Sequence, residues 1–147
     1  MKFYTISTFR DQLVMLTKKP REGYASLIAD ISAELLSMPN NILRDTNERI
    51  IQDKEYRIVK LRVGNSGQKL SKSNGFRLVY FVSLHADNIV LLTVYPKRGA
   101  KGQNNISSAE YSRLLKELIL ENNAQQLHQV DITNNLTELN QNSCLLQ

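Results

Sequence analysis

Apolar and polar positions recur with two different periods along the chain, and the switch between them sets helical segments on either side of a stranded middle. Lys2–Ser7 (KFYTIS) has the make-up of a short strand. Phe9, Leu13 and Leu16 then fall at helical spacing and predict a helix to about Lys19, capped by a Ser7 or Thr8 hydroxyl. Pro20 and Gly23 break it. Tyr24, Leu27, Ile28, Ile31, Leu35 and Met38 form one apolar face of a second helix, which Pro39 ends. So short a connection predicts an antiparallel helical hairpin. Asn40–Glu55 reads as a polar loop, with a helical turn as an alternative.

The period changes near Tyr56. Val59, Leu61 and Val63 alternate with Ile58, Lys60 and Arg62, so a strand here puts both cations on one face. Gly64–Gly75 (GNSGQKLSKSNG) is rich in Gly, Ser and Asn and predicts an exposed, mobile connection. Phe76–Ser83 is apolar on both faces apart from Arg77. After the turn residues His85–Asn88, Asn88–Tyr95 is nearly continuous in its apolar character, as expected of a central strand covered on both sides. Pro96–Asn105 is a basic, glycine-containing loop. Ser107 and Glu110 make a capping box before Tyr111, Leu114, Leu115, Leu118 and Ile119, which predict a helix ending near Asn122–Asn123. Leu127–Thr133 suits a strand or a helical extension, and residues 134–147 lack periodicity and read as a loosely held tail. The expected fold is α+β: a small single domain with an N-terminal strand and helical hairpin, an antiparallel three-strand meander and a C-terminal helix. Residues 1–123 form the domain, and residues 124–147 a polar C-terminal extension.

Composition adds a charge asymmetry to this outline. The 147 residues carry a net +5, unevenly spread. Residues 54–101 hold ten basic and two acidic side chains, whereas residues 1–53 are neutral and residues 102–147 carry −3. A positive field concentrated on the meander suggests an anionic partner, nucleic acid first; a solvated face that keeps the protein soluble is the alternative. The expected location is cytoplasmic, with no membrane partner, because the chain has neither a long apolar run nor a signal-like N-terminus. The single cysteine, Cys144, has no partner for a disulfide, and His85 and His128 lie outside zinc-ligand spacings. No metal and no cofactor are expected.

Phosphate-binding glycine loops, nucleophile–histidine sets and paired carboxylates are all missing from the basic region. What it offers is Lys60, Arg62, Lys69, Lys72, Arg77, Tyr95, Lys97, Arg98 and Lys101. Such a set suits gripping phosphates and stabilising charge on a phosphoryl oxygen. Plainer roles exist: Lys60 and Arg62 as solvent-facing residues of an edge strand, Tyr95 as a core aromatic, Arg77 as half of a structural ion pair.

The order KLR, a Gly/Ser/Lys-rich connection, GFRLVYFV, IVLLTVYPK and a helix opened by ISSAEYSRLLKEL resembles the RelE/ParE superfamily of bacterial toxins, with the HigB/RelE-like branch nearest. The resemblance covers about residues 54–120 and extends weakly to residues 1–38. It implies a RelE-like curved sheet around helices and the toxin of a type II toxin–antitoxin system. That toxin is an mRNA interferase, a ribosome-dependent endoribonuclease that inhibits translation and arrests growth. It implies mRNA on the ribosome and a cognate antitoxin as partners, in a toxin–antitoxin hetero-oligomer. Carried over by position, the resemblance assigns Lys72, Arg77, Tyr95 and Lys97 to catalysis, and Lys60, Arg62, Lys69, Arg98 and Lys101 to phosphate binding. Either Lys69 or Lys72 takes the connection's catalytic role, since this connection is longer than the family's. The implied reaction is metal-independent attack of a 2′-OH on the adjacent phosphate. Two other functions stay open: inhibition of DNA gyrase, as by ParE-like members, and a non-catalytic or degenerate nucleic-acid-binding protein.

Overall fold

The structure is a computed structural model that describes residues 1–45 and 49–143. Its organising element is strand β5 (Asn88–Pro96), buried along all nine residues. One edge of β5 pairs antiparallel with β4 (Phe76–Ser83), the other in parallel with β1 (Lys2–Thr5). Beyond β4 lie β3 (Tyr56–Val63) and β2 (Arg49–Gln52); beyond β1 lie β6 (Leu127–Asp131) and β7 (Thr137–Ser143). The described residues form one mixed seven-stranded sheet in the order β2-β3-β4-β5-β1-β6-β7, with helices α1 (Ser7–Thr17), α2 (Leu27–Ser37), α3 (Asn40–Arg44) and α4 (Ser108–Asn123). The expected α+β domain and three-strand meander are present, within a sheet larger than expected.

Register divides the meander into two chemically different faces. Val59, Leu61 and Val63 stand opposite Tyr80, Leu78 and Phe76, and all six are buried. The helical segments cover this face: Tyr24 meets Phe76 edge to face at 6.1 Å, and the Tyr80 hydroxyl donates to the Leu43 carbonyl of α3 at 2.7 Å. The other face carries Lys60 and Arg62 on β3, Val79 and Arg77 on β4, and Thr93 and Tyr95 on β5.

Three expectations are corrected. Asn40–Glu55 is not simply a loop, because it contains α3 and β2. Ile51 pairs with Ile58, so the Ile50–Ile51 pair marks a strand too short to show a period. The polar stretch 134–147 is not a loose tail through residue 143: β7 pairs antiparallel with β6, although its sequence TELNQNS lacks an apolar face. Main-chain hydrogen bonds hold such an edge strand without any need for side-chain alternation. Cys144 lies outside the described residues. Finally, Gly64–Gly75 is tied down rather than loose. Buried Asn65 donates its side-chain amide to the Gly23 carbonyl at 2.8 Å, Ser66 N–H donates to Asp30 at 3.0 Å, and Gly67 N–H to the Ser26 hydroxyl at 3.0 Å.

The start of α1 shows another departure. Neither Ser7 nor Thr8 is its cap; Ile6 holds that position and has no oxygen to offer. The orphan amides are instead accepted by α4: Ser7 N–H by Glu121 at 3.1 Å, and Thr8 N–H by Glu117 at 3.0 Å. This explains why Glu121 is buried on α4 while its neighbour Leu120 is exposed. Burial raises the Glu121 carboxyl above its ordinary value, against the Ser7 amide and with the help of the Glu117 charge. Burial acts the same way on Glu117, but hydrogen bonds from Thr8, Glu121 and Arg113 outweigh it and hold the carboxyl low.

The two carboxylates therefore have opposite pH signatures. A folded-state value below the unfolded one gives Glu117 a stabilising effect that is present above the unfolded pKa and lost as pH falls through the folded one. Glu117→Gln should lower stability at pH 7 by about 2 kcal/mol, as for one hydrogen bond to a charged group. Its deficit should shrink in acid, measured as Tm against pH. Glu121→Gln should show the reverse trend, with its best stability relative to the parent on the alkaline side, because the raised carboxyl costs stability once ionised.

Candidate nucleic-acid interface

The basic residues of the meander become a site through strand register. Arg62 pairs with Arg77, and Arg77 with Tyr95, so the three stand in one row across β3, β4 and β5. Two residues along, Lys60, Val79 and Thr93 form the next row. Neighbouring side chains in such a row are about 5 Å apart. A cavity of about 300 Å³ lies over these rows, lined by Ile50, Lys60, Arg62, Arg77, Lys97, Asn104 and Asn105. Among the described residues its lining holds four cations and no carboxylate. Lys60 Nζ donates to Asn105 Oδ1 at 3.0 Å and Lys97 Nζ to Asn104 Oδ1 at 3.5 Å. Among the described residues neither lysine has a carboxylate partner.

Arg77 is 6% exposed. Its guanidinium is satisfied by main-chain carbonyls: Nη1 donates to Lys72 O at 3.0 Å and Phe76 O at 3.2 Å, and Nη2 to Ser73 O at 3.0 Å. These carbonyls solvate part of the buried charge. The same bonds fold the end of the connection back onto β4. Gly75 makes the fold-back possible: a Cβ there would lie 2.1 Å from the Val63 carbonyl oxygen.

The remaining predicted site residues are placed elsewhere. The Lys72 ammonium crosses to Glu34 on α2 at 3.1 Å, and Lys69 is exposed at the end of a 3₁₀ turn with φ 55°. Neither lines the basic cavity, so the connection contributes carbonyls to the site through its backbone. Arg98 Nε donates to Asn74 at 3.0 Å, and Lys101 pairs with Glu22 at 2.6 Å, which holds that carboxyl below its ordinary value. Both stabilise the loop after β5, where the Tyr24 hydroxyl also donates to Arg98 O and accepts from Lys101 N–H, each at 2.9 Å. β3 is not an edge strand of the sheet, although among the described residues β2 pairs with it at Arg57, Ile58 and Val59, short of Lys60 and Arg62. Ile50, Asn104 and Asn105 joined the site without being singled out beforehand. The asparagine pair that ends the basic loop was the available signal.

Tyr95 is 1% exposed, so its ring cannot serve as an open stacking platform. Its hydroxyl has no hydrogen-bond partner among the described residues. Burial raises the Tyr95 pKa, against the nearby positive charge of Arg77. Tyr111, on α4, is pushed up to about 12 by burial and by Tyr95. Among the described residues no group of three or more His, Cys, Asp and Glu side chains could hold a metal ion. His85 pairs with Glu55 and His128 with Glu138, both away from the cavity lining.

Compared with protein-family models, curated proteins and solved structures, the chain matches none.

An unpartnered buried hydroxyl costs stability, so Tyr95→Phe should leave Tm unchanged or raise it, by up to about 1–3 kcal/mol in unfolding free energy. Chemical denaturation of both proteins checks this. A clear loss would mean that the hydroxyl has a structural partner.

Proposed function

We propose that the basic cavity binds RNA phosphates and that the protein acts as a toxin-type endoribonuclease, as its resemblance to the RelE/ParE superfamily implies. The observation that carries the reading is the cavity lining: four cations from β3, β4 and the residue after β5, with no acid among the described lining residues. Cations gathered in this way attract an anion. A phosphodiester supplies that anion, and its neighbours along a strand supply further ones.

In the proposed reaction a ribose 2′-hydroxyl passes its proton to solvent, which afterwards restores the Lys97 ammonium, while the 2′-oxygen attacks the adjacent phosphorus and the bond to the 5′-oxygen breaks. The products are a cyclic phosphate and a free 5′-hydroxyl. Arg77 and Arg62 stabilise the extra negative charge on the phosphoryl oxygens, Arg77 through its field rather than by surrendering its carbonyl bonds. Lys60 holds the phosphate against Asn105, and the Lys97 ammonium protonates the departing 5′-oxygen. In this arrangement Lys69, Lys72, Arg98 and Lys101 play no direct part. A cognate antitoxin would silence the protein by covering the same face.

Lys60 and Lys97 make the cleanest test, because Arg77 also braces the fold. Lys60→Ala/Lys97→Ala should bind single-stranded RNA more weakly. Its slope of log affinity against log salt should be shallower by about 1.4, at roughly 0.7 per phosphate contact. Expression of the parent should arrest growth with cleavage of mRNA, and expression of the double variant should not. Equal RNA affinity and equal arrest by the folded double variant would sink the assignment. Arrest with intact mRNA and DNA-damage signalling would favour gyrase as the target.

A further inference from the structure

A second cavity, of about 380 Å³, adjoins the basic one and has different chemistry. Its hydrogen-bonding groups come from Gln12 on α1, Thr93 and Tyr95 on β5, Gln103 and Asn105 in the following loop, and Glu110 on α4. Asn105 also lines the basic cavity. The cavities are one strand apart, because Tyr95 stands directly opposite Arg77. That spacing, about 5 Å, is the scale of the step from a phosphate through ribose to the base of the same nucleotide.

The lining points to an uncharged, planar ligand with both donors and acceptors. The amides of Gln12, Gln103 and Asn105 can act in either sense, and Ile106 adds an apolar surface. Tyr95 offers a hydroxyl that the protein leaves unused, buried at 1% exposure. Glu110 is the lining's carboxylate. Arg113 donates to both of its oxygens, at 3.0 and 3.1 Å from Nε, which fixes its orientation and leaves further lone pairs on the same oxygens. An acceptor held in this way selects ligands that donate. Adenine, cytosine and guanine present an exocyclic amino group, whereas the one donor of uracil in a nucleotide, N3–H, lies between two carbonyl oxygens that repel a carboxylate.

We propose that the cavity lined by Gln12, Thr93, Tyr95 and Glu110 is a nucleobase subsite for a base with an exocyclic amino group, whose phosphate occupies the neighbouring basic cavity. This rests on the RNA-phosphate reading of the basic cavity and extends it from charge to sequence preference. Tyr95 is thereby a base-contacting residue that donates or accepts one hydrogen bond, and Glu110 the group that rejects uracil.

The experiment titrates the full chain calorimetrically with inorganic phosphate and with the 3′-monophosphates of adenosine, cytidine, guanosine and uridine. At least one amino-bearing nucleotide should bind tenfold or more tighter than inorganic phosphate, and tighter than the uridine nucleotide. Glu110→Gln keeps the backbone amide that caps α4 and should erase the preference over uridine without changing phosphate affinity. Tyr95→Phe should cost about fivefold in nucleotide affinity, as for one hydrogen bond, again without affecting phosphate. Phosphate and all four nucleotides binding equally would overturn the subsite while leaving the basic cavity intact. So would a base preference unchanged by Glu110→Gln and Tyr95→Phe. Binding of neither phosphate nor nucleotide would overturn the phosphate site and the subsite together.

Discussion

A guanidinium in mid-sheet at 6% exposure has few ways to be tolerated, and the one used at Arg77 governs much of the surrounding structure. Its donors need acceptors inside the protein, since leaving a charge buried and unpaired is too costly for a domain of marginal stability. The carbonyls of Lys72, Ser73 and Phe76 meet that need. To present them, the connection must turn back along β4, pass Gly75 against the Val63 backbone, and stay anchored to Gly23 and α2 through Asn65 and Ser66. The cavity above is lined by Lys60, Arg62, Arg77 and Lys97, and these side chains give it its basic character.

The second long-range dependence runs through α4. α1 begins at a residue that cannot cap it, and its first amides take their acceptors from Glu117 and Glu121, more than a hundred positions away. This ties α4 to the start of the chain. It also sets Glu110 and Tyr111, at the other end of α4, beside Tyr95 and the loop after β5. Stability at one end of α4 and the geometry of the site at its other end thus share one rigid element.

Much of the scaffold was legible in the sequence because it rests on strong local periods. The strand pairs of the meander, the helix opened by Ser107 and the continuous burial of β5 all follow from apolar spacing and a cap. The segregation of Lys60 and Arg62 from Val59 and Leu61 follows from alternation alone. The row joining Arg62, Arg77 and Tyr95 does not, because it depends on the register of three strands. β2 and β7 escaped notice since one is very short and the other has no apolar face. Lys72 shows the limit most plainly. It sits beside Arg77 in the connection, yet its ammonium crosses to α2, and only its carbonyl reaches the site. Sequence proximity locates a backbone; side-chain direction is a tertiary property.

The placement of β1 has a consequence for how the molecule is made. Residues 2–5 lie between strands whose pairing partners are residues 88–91 on one side and 128–130 on the other. β1 therefore leaves the ribosome long before β5, its first neighbour, and longer still before β6, its second. Closing such distant contacts is entropically slow. The basic face has no such wait, because its rows come from β3, β4 and β5, which follow one another in the chain, so the site's strands can pair before β1 is enclosed.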